Sequence, residues 1–192
     1  MARATLTQSA AELQRRFTSA ELEALFEACF GVEFRTCLQG GATEPFYQPA
    51  SADSPARLCY TRDYFRSALH EVAHWCVAGA GRRQLPDFGY WYAADGRNAA
   101  EQALFQQVEV APQALELLFC AACGHPFRVS LDNLEGECID PQPFERAVLA
   151  AARQRLAKGL SGRVGRWCQA LSRHYRQQDF QPAWLEEVFL PL

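Results

Sequence analysis

Leu22, Leu25, Phe26, Cys29 and Phe30 recur at helical spacing, which gives this stretch of the chain one apolar side. The pattern predicts a helix capped by Thr18-Ser19 and running to about Phe30. Past Gly31 the period is lost. Gly40-Gly41, Pro45, Pro49 and Pro55 interrupt the chain, and apolar pieces at residues 32–38 and 57–60 predict short strands between the breaks. Asp63 opens a second helix to about Ala78, closed by Gly79 and Gly81 with arginines after them.

Residues 85–97, LPDFGYWYAADGR, are aromatic and turn-rich and predict a strand followed by an Asp-Gly turn. Helical periodicity returns from Asn98 to Val110, and Pro112 suits the first turn of a further helix reaching about Ala122. The segment GHPFRVSLDNLEGE has loop or extended character. After Pro143 the chain is mostly helical, with Arg/Gln-rich solvent faces and a break at residues 158–162. No internal repeat, low-complexity tract or linker divides it. The predicted architecture is α+β: a single helix-rich domain with a small antiparallel sheet beside the helix at 63–78. Residues 1–18 read as a polar, partly flexible leader and residues 19–192 as the domain.

Composition mainly excludes. A chain of 192 residues can bury one substantial core. A net charge of −3 argues against general nucleic-acid binding, which needs a basic surface. No apolar run approaches the roughly 20 residues that span a bilayer. The opening MARATLTQSAAELQRRF has no hydrophobic signal core, so a cytoplasmic location is expected. The eight cysteines are then expected as reduced thiols rather than a disulfide framework. Nothing in the chain resembles an assembly motif, and a monomer is expected.

The chemistry concentrates in the second predicted helix. His70-Glu71-Val72-Ala73-His74 places two of the chain's four histidines one turn apart, so both rings can address one ion. Leu69, Val72, Ala73, Trp75 and Val77 make the surroundings apolar, and two buried imidazoles with a carboxylate need a partner there. Two histidines require at least one further ligand. Val77 and Ala80 stand where an extended HExxHxxGxxH pattern would have glycine and histidine, so the third ligand comes from a later element. Asp87, Asp95, Glu101 and Glu109 are candidates. Glu109 is the best of them, because Val108 and Val110 flank it and Phe105 lies one turn away.

Two histidines and a carboxylate support two chemistries. Zinc with Glu71 as general base would hydrolyse an amide, whereas ferrous iron with open positions supports dioxygen-dependent hydroxylation. Spacing alone favours the peptidase. Other motifs carry less. In CAACGH, Cys120, Cys123 and His125 with distant Cys138 lack the second paired motif of a structural zinc site, and the CxxC falls near a helix end, where a redox pair is not expected. His174 reads as a solvent-facing helix residue. There is no glycine-rich phosphate loop and no GxSxG. No histidine is followed two residues later by aspartate, so a 2-oxoglutarate-dependent site is unsupported.

The stretches ALHEVAHWCVAG, DFGYWY…DGR, VEVAPQALELLFC and PFRVSLDNLEGE, in this order and spacing, resemble the bacterial elongation factor P hydroxylase family. The likeness spans roughly residues 19–175. It implies a cytosolic oxygenase that uses Fe(II) and dioxygen to hydroxylate the β-lysylated lysine of translation elongation factor P, with metal ligands falling on His70, His74 and Glu109. Under it Glu71 is not a hydrolytic base but orients a ligand, moves protons or holds a substrate ammonium. Such a substrate carries two amino groups, so acidic pocket residues are expected, with Asp87, Asp132 and Glu135 as candidates. Turn and cap chemistry accounts for the same residues. Phe88, Tyr90, Trp91 and Tyr92 are candidates for a wall against the substrate's methylenes or ammonium, with strand core the alternative. Arg82 and Arg83 either meet an acidic partner or favour the negative helix end. The competing functions are a zinc metallopeptidase of the HExxH…Glu type and a non-catalytic module that binds a translation factor.

Overall fold

A computed structural model describes residues 15–89, 96–132 and 140–192. Helix α1 (Ser19–Phe26) continues through a π-helical stretch, Glu27–Gly31, into a last α turn, Val32–Phe34, which Arg35 ends in the left-handed region at φ 46. The expected helix is therefore present and four residues longer, and residues 32–34 are helical rather than strand. Its apolar side explains the extension. Phe26, Phe30 and Phe34 all pack on Trp75, with ring centroids 5.3, 5.0 and 5.2 Å away. A four-residue repeat drifts around a 3.6-residue helix, and the wider π turn offsets that drift.

Three strands follow: β1 (Thr36–Ala42), β2 (Phe46–Gln48) and β3 (Ala56–Thr61), in the order β1-β3-β2. The sheet is mixed, not antiparallel as expected. β2 runs antiparallel to β3, but β1 pairs with it in parallel, Leu38 opposite Leu58. Ala56, Leu58 and Tyr60 alternate as buried positions on β3, so the most regular strand takes the centre. The connection at residues 49–55, bounded by two prolines, carries the chain back to insert it there. Gly40 sits in the β1 irregularity, where a Cβ would lie 2.6 Å from the Arg62 carbonyl oxygen.

Helix α2 (Phe65–Val77) lays Phe65, Ala68, Leu69, Val72, Ala73 and Trp75 into the core. It ends where the break before Gly79 predicts. The guanidiniums of Arg83 and Arg163 donate to the Ala78 carbonyl at 2.7 and 2.8 Å, so Arg83 serves the helix end. Residues 85–89 are not the expected strand. Pro86–Gly89 form a 3₁₀ turn, with Asp87 at φ 49, and neither suits an extended run. Tyr90, Trp91, Tyr92 and Asp95 lie outside the described residues.

The two helices predicted on either side of Pro112 are one, α3 (Ala99–Cys123). A capping box opens it: Asn98 Oδ1 accepts from Ala100 and Glu101 amides, and Glu101 accepts from the Asn98 amide, all at 3.0 Å. Interior proline costs about 3 kcal/mol. Every residue from Pro112 to Cys123 is buried, however, and each large apolar side chain contributes about 1.5–3 kcal/mol. Burial outweighs the break, and α3 becomes the central helix. Gly124, at φ 82, ends it.

Around α3 pack α2, α4 (Gln142–Lys158), α5 (Gly162–Tyr175) and the short α6 (Leu185–Val188). The predicted break at 158–162 holds, and His174 is exposed on α5. No helix among the described residues is long and apolar enough to cross a membrane.

Candidate metal centre

Packing of α2 against α3 brings three of the expected residues together. His70 and His74, one turn apart on α2, face each other through their Nε2 atoms at 3.0 Å. From α3, Glu109 directs Oε2 to His70 Nε2 at 3.5 Å and Oε1 to His74 Nε2 at 3.3 Å. All three ligand atoms lie within 4.8 Å of one another, the one such His/Cys/Asp/Glu group among the described residues.

The electrostatics favour a cation. Glu109 is 1% exposed, and no well-formed hydrogen bond reaches either of its oxygens. Burial alone would depress the His70 imidazolium, but the Glu116 hydrogen bond and the charges of Glu109, Glu116 and Glu71 push it up to about 10. Burial opposes ionisation of Glu109, yet contact with His74 and both imidazole charges bring it down to about 2. Both shifts say that these carboxylates draw positive charge to this point, and a divalent ion supplies it without protonating the rings. Two imidazoles and one carboxylate on one side suit zinc or ferrous iron and leave the other side open.

That open side is a cleft of about 410 Å³ lined by Tyr64, Glu71, Phe105 and Asp132 besides His70 and Glu109. Burial raises the Glu71 acid, with the His74 and His70 charges opposing. Asp132 lies at the cleft, exposed, at φ 48. Asp87 does not line it: its carboxylate accepts from the Tyr47 amide at 3.2 Å and ties the 3₁₀ turn to β2. Glu101 is occupied in the capping box. Glu135, Tyr90 and Trp91 lie outside the described residues, as does the side chain of Phe88. A second cavity, of about 450 Å³, lies between α4 and α5 against Phe180 and Pro182, away from these groups.

Several residues around the centre carry no expectation from the sequence. Glu116 and Arg66 form an ion pair beside His70. Gln113 brackets Ser130, donating to its carbonyl and accepting from its amide at 2.8 and 2.9 Å. Buried Arg97 stacks 3.9 Å over Phe105 and donates to Gln102 and to the carbonyls of Leu131 and Asp132. Together they fasten residues 130–132 to α3 as the cleft wall. Glu116 was findable, since it interrupts the apolar run 114–123 as Glu109 interrupts its own. Arg66 precedes His70 by one helical turn.

The CxxC of CAACGH lies at a helix end, where the sequence places it. Cys120 and Cys123 are buried free thiols pushed up by burial, at the end of α3. Cys138 lies outside the described residues.

Two comparisons bear on the centre. The elongation factor P hydroxylase family model matches residues 25–184. The elongation factor P lysine hydroxylase of Haemophilus influenzae is 44% identical over 160 residues, covering 83% of this chain and 90% of that protein. Both matches contain the whole α2–α3 pair and the sheet beneath it. The chain belongs to the elongation factor P hydroxylase family.

Proposed function

We propose that the chain hydroxylates the β-lysylated lysine of translation elongation factor P, using Fe(II) held by His70, His74 and Glu109 and dioxygen as co-substrate. The observation that carries this reading is Glu109: a carboxylate 1% exposed, without a well-formed hydrogen bond, aimed at two Nε2 atoms on the floor of an open cleft. Ferrous iron, when bound, supplies dioxygen activation at that floor.

The chain's own residues do the rest. His70, His74 and Glu109 would hold the ion, and the cleft beside them would take dioxygen and the substrate side chain. Tyr64 and Phe105 bracket the substrate's methylenes and exclude water from them. Glu71, in the cleft beside the ligands, holds an ammonium of the extended side chain, and Asp132 at the cleft attracts the second. Arg97 and Gln113 keep the 130–132 wall in place.

The test is incubation of the iron-loaded chain with β-lysylated factor P in air with a chemical reductant, read by intact mass. Gain of one oxygen atom, absent without air and absent in His70→Ala and Glu109→Ala, is the expected result. No gain with correctly modified substrate and bound iron overturns the reading.

A further inference from the structure

Glu116 is 2% exposed and makes its contacts in two directions. Its Oε2 accepts from His70 Nδ1 at 2.9 Å, and its Oε1 accepts from Arg66 Nε and Nη2 at 2.9 and 2.5 Å. Arg66 Nη2 also donates to the Arg128 carbonyl at 2.9 Å, which anchors the guanidinium to the segment entering the cleft wall. Arg66, His70 and His74 follow one another at four-residue spacing along α2, while Glu109 and Glu116 stand seven apart on α3. Both sets therefore share a face of their helix.

The two carboxylates of α3 are burdened differently. Both Glu116 oxygens are engaged, one by the guanidinium and one by the imidazole, whereas Glu109 turns one oxygen to each of the converging Nε2 atoms. An imidazole that donates Nδ1–H to a fixed carboxylate is locked in ring orientation and keeps its Nε2 lone pair for the opposite side. A carboxylate already gripped by arginine cannot swing round to join the ligand set.

From this geometry we propose that the Arg66–Glu116 pair is the positioning element of the centre: it holds His70 with Nε2 toward Glu109 and His74, and it keeps Glu116 itself out of the coordination sphere. This rests on the metal-centre reading above.

Zinc is the probe, since it is redox-silent and diamagnetic. Affinity of the chelator-stripped chain for Zn(II) is measured by competition with a chromogenic chelator, and the His70 Nδ1 proton is observed by NMR in the zinc-loaded chain. Glu116→Gln retains an oxygen acceptor for Nδ1–H and stays within about threefold of wild type. Glu116→Leu weakens zinc binding by about 10–100-fold and loses the downfield Nδ1 proton. Because Glu116→Leu strands Arg66, the double variant Arg66→Met/Glu116→Leu removes both charges, keeps a cooperative thermal melt, and shows the same loss. Wild-type zinc affinity in either folded leucine variant overturns the positioning role. His74→Ala reports on the centre itself: undiminished affinity there, or no zinc binding by the wild type, overturns the metal reading and the positioning role with it.

Discussion

Glu109 and Glu116 lie two turns apart on α3, both buried, yet only Glu116 carries a guanidinium, with Arg66 Nη2 at 2.5 Å. Glu109 faces two imidazoles instead. A buried carboxylate left to histidines is stabilised by any divalent ion they share, so metal and fold are linked. Free metal at 100-fold above its dissociation constant stabilises the folded state by about 2.7 kcal/mol. Differential scanning calorimetry of stripped and zinc-loaded wild type should show a higher midpoint with zinc. In Glu109→Ala zinc should leave the midpoint where it is, and an undiminished rise there would remove Glu109 from the ligand set.

Arg66→Met leaves the Glu116 charge buried against His70 without its counter-ion. Breaking a fully buried pair costs about 3–5 kcal/mol, and the partial exposure of Arg66 reduces this to about 2–3 kcal/mol. The surface pairs provide the contrast. Arg153–Glu186 and Arg173–Asp179, more than half exposed on both sides, contribute about 0–1 kcal/mol when cut in the same way. Urea midpoints of Arg66→Met and Arg173→Met at one pH measure the difference directly. Equal midpoints would mean that the cleft solvates Glu116 far better than its 2% exposure implies.

His125 sets an acid limit outside the ligand set. Its ring stacks on Phe65 with centroids 5.3 Å apart and meets Phe17 edge-on, and Nδ1 donates to the Pro126 carbonyl. Burial is the largest influence and brings the group down to about 4. Folded His125 is therefore neutral where the unfolded chain is protonated, so stability is full above the unfolded value near 6.5 and is lost as pH falls toward 4. The loss below that window is on the order of 3 kcal/mol. Urea titrations at pH 7 and 4.5 should show it, and His125→Phe, which keeps the stack and cannot protonate, should flatten the difference.

Legibility in the sequence followed the range of the interactions. His70 and His74 were visible because four-residue spacing on a helix is local geometry, and Glu109 because a carboxylate between valines is a local conflict. The same conflict at Glu116, between Leu115 and Leu117, marks a buried acid, but its partner Arg66 lies fifty residues away in sequence and only the α2–α3 packing joins them. Pro112 predicted a helix start from its own backbone, whereas burial of the twelve residues from Pro112 to Cys123 decided for continuity. The parallel pairing of β1 with β3 had no local signature, because it depends on which strand inserts at the centre. The charge of Asp87 suggests a pocket residue, but its carboxylate accepts from the Tyr47 amide across forty residues, a contact that only the packing of the 3₁₀ turn on β2 reveals.

Glu71 separates the two chemistries that one motif supports. It lines the cleft at 8% exposure, next to both histidines, with no role in the converging set. As a water-activating base it would act in the chemical step, and Glu71→Gln would lower kcat by about 10²–10⁴-fold with KM little changed. As the holder of a substrate ammonium it acts in binding. A lost charge-assisted hydrogen bond costs about 1.5–3 kcal/mol, so KM for the β-lysylated factor should rise by tenfold or more while kcat stays within a few-fold. Zinc affinity in Glu71→Gln should equal that of wild type, since the side chain does not join His70, His74 and Glu109. The decisive comparison is a substrate whose added amino groups are acetylated: the rise in KM on it should be smaller for Glu71→Gln than for wild type by the factor the substitution itself costs, because the variant has already lost the contact of Glu71 and retains only that of Asp132.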